Sequence, residues 1–133
     1  VNFNETHAGE TFKSLISISV EGLKSILLLN GGAIIAILAY LGEASSGQQL
    51  AARLKCSLVW FVVGLITISL AFVTSYLTQL ALFNESVNSN TYKGPKHQLV
   101  LWTTVALGIT SLVSFSCGAF STVNVLATTA AGY

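Results

Sequence analysis

From Cys56 to Phe83 the chain carries no charged residue, a run of 28 positions reading CSLVWFVVGLITISLAFVTSYLTQLALF. At about 1.5 Å per residue a helix of that length reaches roughly 42 Å. The hydrocarbon core of a bilayer is only about 30 Å thick. Lipid offers no partners to backbone N–H and C=O groups, so an isolated apolar segment must satisfy them internally as a helix. The composition agrees. Residues of hydrophobic type make up 53% of the 133, and charged residues only 8%, against about a quarter in ordinary soluble domains. Too few polar groups exist to cover a water-facing surface, so this is a membrane protein.

Two more segments fit the same reading. Leu27 to Gly42, LLLNGGAIIAILAYLG, forms the core of a first span over about 25–42. Before it, Phe12, Leu15, Ile16, Val20 and Leu23 recur at three- and four-residue steps, while Lys13, Ser17, Glu21 and Lys24 take other faces. That is an amphipathic helix over 10–24. It either lies in the interface or runs straight into the first span. The third span starts at Leu99, and no charge follows it through Tyr133. The expected fold class is therefore all-α: one transmembrane domain over 1–133, with spans at 25–42, 56–83 and 99–125. Helices are predicted near 10–41, 50–83 and 98–130, with no strand. Residues 42–52 and 84–98, rich in Gly, Ser, Asn and Gln and holding Pro95, are expected to be loops.

Inside lipid, helices associate through close packing and hydrogen bonds, so small and polar residues mark the contacts. Asn30, Gly31 and Gly32 interrupt the first apolar run, followed by Ala36. In the second span Gly64, Thr67, Ala71, Thr74 and Thr78 make a stripe of small residues. In the third, Ala106, Thr110, Ser114, Gly118 and Thr122 repeat every four residues. These are the candidate helix–helix or subunit contacts. The density of Ser and Thr in the third span predicts that it is the most enclosed, or a water-facing, helix. Bulk at Gly32 is expected to damage assembly more than loss of the Asn30 amide. Glu21 and Lys24, spaced for weak intrahelical pairing and just outside the first apolar run, are candidates for a polar path or gate.

Chemistry requires titratable or nucleophilic groups that converge, and the sequence offers none. There is no aspartate, no glutamate lies within a span, and both histidines, His7 and His97, fall in polar segments. Metal-ligand spacing and phosphate-binding glycine loops are missing, so no enzyme, metal or cofactor is expected. The net charge of +1 gives no basis for nucleic-acid binding. Cys56 and Cys117 read as small buried thiols. Asn4-Glu5-Thr6 and Asn84-Glu85-Ser86 match the glycosylation sequon, a pattern common by chance. No cleavable leader is read in VNFNETHAGE, which lacks a basic start. With three spans, Lys13, Lys24, Lys93 and Lys96 fall on one side and Arg53 and Lys55 on the other. The positive-inside rule then favours a cytoplasmic N-terminus.

LLLNGGAIIAILAYLG, WFVVGL from Trp60 and SYLTQ from Ser75 together resemble a group of uncharacterised small bacterial membrane proteins. Those have an amphipathic N-terminal helix and three spans, the first with an NGGA core. The resemblance covers roughly residues 12–125 and implies the bacterial inner membrane, without activity, substrate or site residues. The tail ATTAAGY departs from the basic or aromatic-rich ending of that group. Two functional classes follow. One is a homo-oligomeric assembly, a small pore or a membrane-perturbing effector; three spans enclose too little space for a path, so several copies are needed. The other is an accessory or assembly subunit packed against a larger membrane complex. The expected partners are the lipid bilayer and other copies of the chain, or that complex.

Overall fold

The computed structural model describes residues 3–43, 47–87 and 97–130, and these form three helices: α1 (Phe3–Glu43), α2 (Gly47–Val87) and α3 (His97–Ala130). Among the described residues there is no strand. All three helices are long and apolar enough to cross a membrane, so the chain is a multi-pass, all-helical membrane protein by length and composition. At about 1.5 Å per residue α1 and α2 each extend roughly 60 Å, well beyond a hydrocarbon core.

α1 continues without a break through Asn30, Gly31 and Gly32. The amphipathic segment and the first span are thus one helix. Glycine costs about 1 kcal/mol in a helix interior relative to alanine, too little to break one flanked by Leu, Ile and Ala. The expected first loop is mostly helical as well. Gln48, Gln49, Leu50, Ala51 and Ala52 belong to α2, and Leu50 and Leu54, four apart, are both buried. Their shared inward face carries the helix back to Gly47. The sequon tripeptides also lie within helices α1 and α2 rather than in loops. Pro95 lies outside the described residues, as do Lys93 and Lys96, two of the six basic residues on which the orientation reading rests.

α2 is the central element. It packs along most of its length against α3 and along part of it against α1, while α1 and α3 barely meet. Of the expectation that α3 is either the most enclosed helix or a water-facing one, the first alternative is therefore corrected. Its outward hydroxyls need no enclosure, because Thr103, Thr110, Ser116 and Thr128 each donate to the carbonyl four residues back at 2.8–3.0 Å. A hydroxyl satisfied within its own helix can face lipid.

The core divides into two parts. Toward the α1–α2 connection, Ile37, Leu50, Leu54 and Phe61 are buried together, with Ala33, Ile34, Leu58, Phe115 and Ala119 packed against them. Phe61 and Phe115 meet with ring centroids 5.6 Å apart at a tilt of 58°, an arrangement aromatic quadrupoles favour. Further along, the α2–α3 seam is made of small and hydroxyl residues instead.

Tyr76 and Trp102 are both largely exposed. They lie level, each two residues beyond the hydrogen-bonded pair Thr74 and Thr104. Trp60 is exposed near the other end of the charge-free run. Interfacial aromatics sit this way. Single-tryptophan variants (Trp60→Phe, Trp102→Phe) in vesicles should therefore be quenched more by lipids brominated near the glycerol than near the chain ends. Strongest quenching of either from the bilayer centre would place the helices at the wrong depth.

Candidate helix–helix site

α1 turns Asn30 toward the other two helices, and the residue is fully buried. Its amide Nδ2 donates to the Ile26 carbonyl at 3.1 Å and to the Ser111 hydroxyl at 3.2 Å. Ser111 Oγ in turn donates to the Gly64 carbonyl at 2.7 Å. One relay therefore runs from α1 through α3 to the backbone of α2. Both amide hydrogens are used, which fixes the orientation of the side chain. Oδ1 is buried with no N–H or O–H partner among the described residues. It is directed at Gly64, where a built Cβ would overlap the carboxamide. The Gly64 Cα hydrogen therefore meets that oxygen, the close helix–helix contact at which weak Cα–H···O bonds recur.

The α2–α3 seam extends this pattern in both directions. Ser57 donates to Ser121 at 3.0 Å, and Thr104 donates to Thr74 at 2.9 Å. Gly118 admits the Phe61 ring, which lies 3.0 Å from where a Cβ would stand. Thr67, Ala71, Thr78 and Ser114 are buried along the same seam. Thr67 and Thr78 donate to their own helix, to Val63 at 2.7 Å and Thr74 at 2.9 Å.

Not every small residue singled out from the sequence faces inward. Gly31 is half-buried, with Leu65 at 3.9 Å from its Cβ position. Gly32 is exposed, with nothing within 4 Å of a Cβ there. Ala36 is exposed as well. The reason is rotation: at about 100° per residue, two steps carry Gly32 to the far side of α1 from Asn30, whereas Ile37 returns to the inner face and is buried. Thr110 is also exposed. A strict four-residue repeat drifts about 40° per step, so the stripe that begins at Ala106 on the outside reaches the seam only at Ser114 and Gly118. As contacts within the chain, Gly32, Ala36 and Thr110 are corrected. The sequence reading missed Ser111 and Ser57, both fully buried. A seam followed at alternating three- and four-residue steps from Gly118 back to Thr104 would have found Ser111.

Cys56 is exposed and Cys117 half-buried, both free, which corrects the reading of two buried thiols. Ser57 takes the inward position that Cys56 misses by one step. Glu21 and Lys24 are exposed on α1 and paired with each other at 2.8 Å. Among the described residues no group of three His, Cys, Asp or Glu side chains gathers to hold a metal ion. No family model, curated protein or solved structure matches the chain.

Gly64→Ala should lower stability by about 1–3 kcal/mol, the usual range for overpacking. Asn30→Ala should cost less than the overpacking limit, since membrane hydrogen bonds average about 0.6 kcal/mol. The double variant should be more stable than the sum of the two losses, because removing the carboxamide makes room for the new methyl. Denaturation in mixed detergent would measure all three; strict additivity would disprove the contact.

Proposed function

We propose that the chain works as a homo-oligomeric membrane assembly whose subunits meet through the outer face of α1, and that the assembly forms or perturbs a passage across the bilayer. One observation carries this reading. Gly32, Ala36 and Ala39 lie exposed on the side of α1 opposite Asn30, leaving backbone uncovered on a helix that sits in lipid. Small residues in membrane helices serve close approach, and nothing within the chain approaches there. Asn30, Phe61 and Ile68 are buried between the helices of one copy, which supports a path between copies rather than through one. Placement in a bacterial inner membrane, with the N-terminus cytoplasmic, belongs to the same proposal and is supported by the NGGA resemblance and the lysine distribution.

Purified in mild detergent, the parent should run as a uniform oligomer of identical chains. Gly32→Leu should weaken self-association about tenfold or more, roughly 1.4 kcal/mol, without loss of helicity, whereas Ile35→Leu on the same face should not. Dye release from vesicles should fall with the oligomer. Dependence on a foreign subunit, or an unchanged Gly32→Leu, would favour the accessory-subunit alternative.

A further inference from the structure

The depth of the Glu21–Lys24 ion pair follows from how α1 and α2 are registered. Asn30 sits against Gly64, and the two helices run in opposite directions along the α1–α2 hairpin. Nine residues before Asn30 is therefore at the same height as nine residues after Gly64, which puts Glu21 level with Val73. Six residues likewise put Lys24 level with Leu70. A hydrocarbon core of about 30 Å takes about 20 helical residues. Wherever a window of that size is set within the charge-free run Cys56–Phe83, it covers both Leu70 and Val73. The level of Tyr76 and Trp102 agrees, since it lies on the outer side of Glu21. The ion pair is thus at hydrocarbon depth.

It is also on the outside. The two side chains keep 53% and 67% of their surface exposed, on the face of α1 that carries Gly32 and Ala39. Ser14, Ser17 and Ser25 are exposed along the same face. Charged side chains at this depth ordinarily face a protein partner or a water-filled cavity rather than lipid. Resting on the oligomeric reading above, we propose that the partner is a second copy of this chain in the same membrane orientation, with α1 against α1. Two Glu21–Lys24 pairs then meet at one depth and close a ring of four alternating charges. Charge complementarity favours a second copy, because each pair presents one unit of each sign and its own duplicate supplies the matching two. The exposed Gly32, about two to three turns along the same face, lets the backbones come close enough for the ring to close.

The decisive experiment mixes opposite charges. Glu21→Lys leaves a copy with two positive groups at this position, and Lys24→Glu leaves one with two negative groups. Each variant carries a different tag, and self-association and cross-association are measured by pull-down from vesicles of phosphatidylethanolamine and phosphatidylglycerol. Helicity of each is checked by circular dichroism. Each variant alone should lose self-association relative to the parent, and the mixed pair should associate about tenfold better than either alone. Equal association in the three combinations, with the parent oligomeric and Gly32→Leu disruptive, would overturn the charge ring while leaving the oligomer standing. A monomeric parent would remove both. If both variants associate like the parent, the charges face water or lipid headgroups and the proposal fails.

Discussion

Lipid gives an apolar helix no reason to prefer another helix to an acyl chain, so something other than burial must hold this bundle together. Here it is close approach at positions without side-chain bulk, fixed by hydroxyl and amide bonds between helices. Gly64 and Gly118 let Asn30 and Phe61 sit against the backbone of neighbouring helices. Ser57, Thr104 and Ser111 then supply direction that dispersion alone lacks. α2 carries the two contacts at once, which explains why it is the central helix although the most hydroxyl-rich sequence belongs to α3.

The same economy explains the division of the core. Near the α1–α2 connection, large apolar residues interdigitate as they would in a soluble protein. Along the rest of the α2–α3 seam, small residues predominate and the backbones draw together. α1 joins this arrangement strongly only from Asn30 onward. Closer to its N-terminus, Phe12 and Leu15 turn toward α2 and α3 yet remain exposed, because α1 stands away there and leaves an apolar cavity of about 390 Å³.

Much of this was legible in the residues. The three long helices follow from the charge-free runs, and the inward stripe Gly64, Thr67, Ala71, Thr78 follows from alternating steps of three and four. The direction in which α1 faces was not legible, because Asn30, Gly31 and Gly32 are adjacent and a helix spreads adjacent residues over most of its circumference. Read as one motif they suggest a single contact. In the fold they divide, Asn30 into the chain's own interior and Gly32 to its exterior. Loop boundaries were misread for a different reason: Gln, Ala and Leu after Gly47 are good helix formers, and the polarity of Gln48 and Gln49 marks the end of an apolar run rather than a turn.

The relay from Asn30 through Ser111 to Gly64 also sets the point in synthesis at which the bundle can lock. Helices emerge from synthesis in chain order, so α1 and α2 enter the bilayer as a hairpin before α3 exists. During that interval Asn30 can bond its own helix through Ile26 but lacks the hydroxyl that α3 supplies, and the Gly64 carbonyl lacks its second donor. The hairpin is consequently the looser assembly, and arrival of α3 is the step that latches it. A chain truncated before Ser111 would keep two insertable helices and lose the bolt between them.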